Sequence, residues 1–228
     1  MTRPRAVLVA FVVVVAVGAA PAAAQELSRY RDFTLESGVA SVLATSGARA
    51  DETKTLHERP ARIQQLDWRL PYAVMGGTPD PVRGVRFSFY DGQLYQVVVT
   101  YHRERTQGLT DDDVIGSLAA TYGVPLLTSR TTGSEIPAAE SPGVMVVARW
   151  DDGVSMMTLT RASSWRELEL TLVSKALKAL ASEAIGEARR LDEQEAPQRK
   201  IDERLQAVAD RDLANEKARL ANRAAFRP

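Results

Sequence analysis

The stretch Val82-Arg83-Gly84-Val85-Arg86-Phe87-Ser88-Phe89-Tyr90-Asp91-Gly92-Gln93-Leu94-Tyr95-Gln96-Val97-Val98-Val99-Thr100-Tyr101-His102 decides the fold class. Two runs rich in β-branched and aromatic residues flank Asp91-Gly92, a pair that tolerates the two positive φ angles of a type I′ turn. The spacing predicts a β-hairpin. With a two-residue loop, Phe89 faces Leu94, Phe87 faces Gln96 and Val85 faces Val98. The other side then collects Arg86, Ser88, Tyr90, Tyr95, Val97, Val99 and Tyr101. Apolar residues on both sides of the second run predict a central strand.

Downstream, Leu109-Thr110-Asp111-Asp112-Asp113-Val114 reads as a helix start. Thr110 can cap, and the carboxylates suit the positive end of the helix dipole. Val114, Ile115, Leu118 and Tyr122 form the apolar stripe, Gly123 ends it, and a strand near 124–128 follows. A second hairpin spans Val144 to Arg161 and turns at Asp151-Asp152-Gly153, with Gly153 left-handed. Leu168, Leu170 and Leu172 alternate as a further strand, and Ser174 opens a long helix with Leu177, Leu180, Ala184, Ala188 and Leu191 as its stripe.

Upstream, residues 34–47 read as a short helix closed by Gly47. Residues 53–68 read as two short strands around Pro60, and the Gly- and Pro-rich segments 71–81 and 131–143 as loops. The expected fold is therefore α+β: an antiparallel sheet built from two hairpins, with short helices packed on it and long C-terminal helices. Helix-Gly47 with its hairpin echoes helix-Gly123 with its own. The offset is 76 residues at the helix glycines, but 61 from Gly92 to Gly153, so a degenerate tandem repeat needs a longer loop in the first copy.

At the N-terminus, Arg3 and Arg5 precede an apolar run from Ala6, and Pro21-Ala22-Ala23-Ala24 precedes Gln25. Basic end, apolar run and A-x-A site together make residues 1–24 a secretory signal peptide cleaved after Ala24; Pro21 and the alanines argue against retention as an anchor. Residues 25–196 form the α+β domain, including the first C-terminal helix, and 197–228 a charged tail. The expected location is periplasmic or secreted. Two of 29 basic and none of 29 acidic residues precede Gln25, leaving 27 against 29, a net −2 that suggests neither nucleic acid nor an anionic membrane as partner. With no cysteine, stability must come from the core.

In layout, helix and strands followed by helix and strands with a glycine-ended helix before each hairpin, residues 30–173 resemble the beta-lactamase inhibitor protein family. They also resemble the small SmpA/OmlA-type outer-membrane assembly lipoproteins. The chain lacks the cysteines of the first and the lipobox of the second, and no functional residue carries over. The resemblance implies a non-enzymatic protein that binds another protein through its sheet.

Catalytic signals are thin. There is no cysteine nucleophile, no G-x-S-x-G elbow and no glycine-rich phosphate loop, and Gly133-Ser134-Glu135 sits in a loop. His102 and Glu104, with His57 or Glu58, are the metal-ligand candidates, although a polar strand end explains the first pair as well. Helix capping accounts for Asp111-Asp112-Asp113 without calcium. No cofactor is expected. Two features point to binding: the face Tyr90, Tyr95, Val97, Val99, Tyr101, if the helix from Ser174 does not cover it, and the tail. In the tail Ile201, Leu205, Val208, Leu213 and Leu220 stand among many charges, as in a docking or coiled-coil segment, after Pro197 breaks or kinks the preceding helix. The expected partner is another envelope protein. An envelope hydrolase is the alternative.

Overall fold

The computed structural model describes residues 26–69, 74–75, 78–128, 143–162 and 167–225. The expected leader with its cleavage site, nearly all of the expected 131–143 loop and much of the expected 71–81 loop lie outside the described residues. The fold is α+β with antiparallel sheets. A small pair, β1 (Arg29–Tyr30) and β2 (Phe33–Thr34), precedes helix α1 (Val39–Ser46), which ends at Gly47 in the left-handed conformation. Then come β3 (Lys54–His57), β4 (Ile63–Trp68), a two-stranded excursion β5 (Val74–Met75) and β6 (Thr78–Pro79), and the hairpin β7 (Val82–Tyr90) and β8 (Gln93–Tyr101). A single turn α2 (Arg103–Thr106) leads to α3 (Asp111–Tyr122) and to β9 (Leu127–Thr128), β10 (Val144–Asp151), β11 (Ser155–Ala162) and β12 (Leu168–Ser174). Helix α4 runs from Lys175 to Ala225.

The main sheet has the order β3-β4-β7-β8-β12-β11-β10-β9, antiparallel throughout. It consists of two four-stranded meanders joined through their last strands, each preceded by a helix. The correspondence differs from the one expected. The Asp91-Gly92 hairpin matches β11–β12, not the Gly153 hairpin. Matched this way, Gly47 to Gly123, Lys54 to Leu127, Val82 to Ser155 and Gln93 to Leu168 give offsets of 76, 73, 73 and 75 residues. The 61-residue discrepancy disappears because it compared non-equivalent turns.

One face of the sheet carries the main core. Phe87, Phe89, Leu94, Val97, Val99, Leu170, Leu172 and Leu159 meet α1 through Val42, α3 through Val114, Ile115 and Leu118, and the N-terminal segment through Leu27, Tyr30 and Phe33. Each such side chain, removed from water, contributes about 1.5–3 kcal/mol. The Phe33 ring sits 4.6 Å from that of Phe87. Helix α3 begins with a reciprocal capping box: Thr110 Oγ1 accepts from the Asp113 amide, and Asp113 accepts from the Thr110 amide.

The turn residues behave as their chemistry requires. Asp91 and Gly92 have φ of 46° and 83°, and Gly153 has 92°. Register departs from the simple two-residue hairpin. Phe89 faces Leu94 as expected, but Phe87 faces Val97, Val85 faces Val99 and Ser88 faces Gln96, so Tyr95 is the extra residue of a β-bulge. Beyond the point where β12 ends, the lead-in to α1 takes over this edge of β8: the Glu36 amide donates to Leu94 O, and the Leu94 amide to Ser37 O.

The two glycines Gly92 and Gly186 should respond in opposite senses to alanine. Gly92→Ala places a Cβ at φ 83° and should cost about 1–2 kcal/mol. Gly186 lies inside α4 with open space around a Cβ, so Gly186→Ala should gain up to about 1 kcal/mol. Urea denaturation of both variants measures the two changes.

Candidate interaction surfaces

The bulge divides the five hairpin residues between the two faces of the sheet. Val97, Val99 and Tyr101 belong to the core side, whereas Tyr90 and Tyr95 turn to the other side and pack under α4 with Ala61, Ile63, Ala181 and Ala184. Tyr95, Val97 and Val99 are only 5%, 1% and 0% exposed. These five residues therefore do not form an open recognition face. A one-residue bulge inverts the alternation beyond it, and α4 covers what remains. Lys178 holds this contact, with Nζ 3.3 Å from Gln96 Oε1 and 5.9 Å from the centre of the Tyr95 ring. Burial raises the Tyr95 phenol and pushes Tyr101 up to about 12, the latter helped by nearby Tyr122.

Helix α4 meets the sheet along most of the expected stripe, through Leu177, Ala184 and Ala188, but Ala181 takes the place of Leu180. Ala181, Ala184 and Ala188 are buried with Leu177 and Ile185 packed beside them, while Leu180 is 46% exposed. Small side chains let the helix axis come close to the sheet.

The metal-ligand candidates are not assembled. His57 lies on edge strand β3 opposite Ile63, which itself faces Tyr90 at the turn end of the β7–β8 hairpin; His102 follows the far end of β8. His102 Nδ1 is 3.9 Å from Glu104, an exposed pair. Among the described residues no three His, Cys, Asp or Glu side chains converge on a possible metal position. Asp111 takes two bonds from the Arg161 guanidinium, at 2.6 and 3.0 Å. Ser134 lies outside the described residues.

What the sequence reading passed over is a groove of about 500 Å³ at the β10–β11 turn end of the sheet. Leu27, Tyr122, Val124, Leu126 and Trp150 give it an apolar lining, and Glu26, Asp151 and Asp152 an acidic rim. Trp150 is fixed by donating Nε1–H to Gly123 O at 2.7 Å, and the Leu126 amide by bonding to Arg149 O at 2.8 Å. These bonds hold the Gly123-Val124-Pro125-Leu126 segment so that Val124 is 89% and Leu126 64% exposed. At the rim Asp151 accepts from Lys175 and the Gly153 amide, which hold its carboxyl below the usual range. The sequence signal is Val124-Pro125-Leu126, two apolar residues around a proline just ahead of β9.

The tail is the second surface. From Pro197 to Arg223 every residue is exposed, and the five aliphatic positions are 49–64% exposed. The break or kink expected at Pro197 does not end the helix: α4 continues through it. Proline leaves Glu193 O without its intrahelical donor, and the Arg199 guanidinium bonds the neighbouring Asp192 O at 2.9 Å and Asp192 Oδ1 at 3.3 Å. The last anchor to the body is Arg59, whose Nη2 reaches both oxygens of Glu195 at 2.9 and 3.2 Å. At 1.5 Å per residue, Pro197 to Ala225 makes an arm of about 42 Å. Its aliphatic spacings of 4, 3, 5 and 7 place Ile201, Leu205 and Val208 on one face and Leu213 and Leu220 on another, so the arm lacks the single seam of a coiled coil.

Toward the end of the sheet that α4 leaves uncovered, the outer face carries Thr100, Glu169, Thr171, Thr158 and Thr160 beside Val98. Glu169 sits there between Thr100 and Thr160 on the neighbouring strands. Burial raises its carboxyl, and Arg86 pulls the other way less strongly. Among the described residues no cation lies within ion-pair distance of it; the Arg86 guanidinium bonds Asp67 at 2.8 Å. A folded-state value above the unfolded one means the folded protein holds this proton longer, so the contribution is lost as pH rises through the folded value. Glu169→Gln should therefore raise the melting temperature at neutral pH, with the gain shrinking as pH falls toward the ordinary glutamate range. Paired thermal melts across pH check this.

No family model, no curated protein and no solved structure matches this chain.

Proposed function

We propose that this chain is a non-catalytic interaction protein of the bacterial cell envelope, working in the periplasm or outside the cell, whose body carries an exposed helical arm that engages a partner protein there. The arm is the observation that carries the reading. Twenty-seven consecutive residues, Pro197 to Arg223, are exposed, and an isolated helix of this length is marginal in water, since its ion pairs add only a few tenths of a kcal/mol each. Retaining five aliphatic residues on such a helix makes sense when a partner covers them. The leader Met1–Ala24 supports the location. A hydrolase would need a cleft that brings a histidine against a buried carboxylate. Beside His57 the groove of about 210 Å³ offers Glu58 and Asp192, both exposed, and this favours the interaction reading.

Two outcomes are expected. N-terminal sequencing of the protein recovered from outside the inner membrane should begin at Gln25; an intact Met1 in the membrane fraction would remove the export reading. Truncation after Ala196 should change the unfolding free energy by less than about 1 kcal/mol, because only surface ion pairs are lost. A photo-crosslinker at Leu205 in the living cell should give one discrete adduct, while the same probe at exposed Thr55 gives none. A truncated chain that no longer melts cooperatively, or a Leu205 probe that gives only a diffuse background, would sink the proposal.

A further inference from the structure

Resting on the reading of the arm as an interaction segment, we propose that its partner is a second copy of this chain: the part of one arm from Leu213 onward seats in the groove beside Trp150 of the next copy. Leu213, Lys217 and Leu220 stand at i, i+4 and i+7 on one face of the arm, apolar, basic, apolar. Leu213 and Leu220 are 56% and 55% exposed. Lys217, Arg219 and Arg223 outnumber the one acid of this segment, Glu216. The groove presents the complement, an apolar lining with Val124 and Leu126 standing out of it and a rim on which Glu26 and Asp152 carry the negative charge left after Lys175 pairs with Asp151. Its volume of about 500 Å³ suits a pair of aliphatic side chains. Seven residues of helix separate the two leucines by about 10.5 Å, two turns along one face.

The arm cannot reach the groove of its own chain. Lys175, the first residue of α4, is bonded to Asp151 at the rim at 2.6 Å. The helix then runs away from the rim across β12, β8 and β7, and Leu213 lies 38 residues further on, about 57 Å along the axis. A continuous helix does not double back over that length. Pairing of two arms is disfavoured, because the aliphatic residues do not share a heptad seam. The remaining geometry is heterologous, arm of one copy to groove of the next, and it propagates or closes into a ring. Rim charge steers the basic end of the arm in, so the association weakens with salt.

The test uses the chain from Gln25 onward in three forms, the native chain, a groove-blocked V124R/L126R chain and an arm-blocked L213E/L220E chain. All substituted side chains are exposed, and a cooperative thermal melt verifies each fold. In sedimentation velocity the native chain should grow in size through the micromolar range, less so at high salt, and each variant alone should stay monomeric. Mixed together, the variants should form a one-to-one complex and stop there, since one supplies only an arm and the other only a groove. A native chain that stays monomeric, a groove-blocked chain that associates as the native one does, or a mixture that yields no complex would each overturn the proposal. The first result, together with a discrete in-cell adduct at Leu205, would mean that the arm serves a different protein, leaving the interaction reading in place while removing this one.

Discussion

The antiparallel pairing of β8 with β12 holds the rest of the molecule together. It sets Val99 against Leu170 and Val97 against Leu172, and it joins strands 75 residues apart at their starts. Without it each meander would be a four-stranded sheet with one helix and a half-covered apolar face. With it, the two inner faces become one core of fully buried leucine, valine and phenylalanine, and α1 and α3 both pack against it. Antiparallel contact between equivalent strands is what a two-fold axis perpendicular to the sheet produces, so the repeated plan and the single core are aspects of one arrangement.

The same junction accounts for the bulge at Tyr95. β12 covers the edge of β8 only from Gln96 to Thr100, and the segment before α1 covers the edge at Leu94. Ser174 at the end of β12 donates to Glu36 Oε1 at 2.8 Å, closing the seam between the two neighbours. Leu94 and Val97 both have to face the core, and three residues apart on a regular strand they cannot. An extra residue between them resolves the conflict, and it sends Tyr95 to the outer face, where α4 covers it. A tyrosine that reads as a contact residue is thus a structural one.

Helix α4 links the body to the outside. Its first five turns bury alanines against the sheet, its middle is tied down by Arg59 and Glu195, and the remainder stands free. The groove beside Trp150 lies at the start of this helix and the aliphatic arm at its end. A rigid helix keeps these two exposed surfaces far apart within one chain.

Local interactions were legible in the sequence. Asp91-Gly92 and Gly153 make their turns because tolerance of positive φ is local to the aspartate and glycine themselves, and Thr110 with Asp113 caps α3 because donor and acceptor lie three residues apart. Gly47 ends α1 for the same kind of reason. The α+β class and the central place of β8 followed from alternation and from its two apolar sides. The tertiary structure alone decided which hairpins correspond, because strand order depends on pairing between residues far apart in the chain. It decided the faces of Tyr95 and Val97, since a bulge is set by neighbouring strands and leaves no mark in the alternation. It carried the helix through Pro197. It also formed the groove, whose walls come from the N-terminal segment, the end of α3 and the β10–β11 turn, three places that only packing brings together.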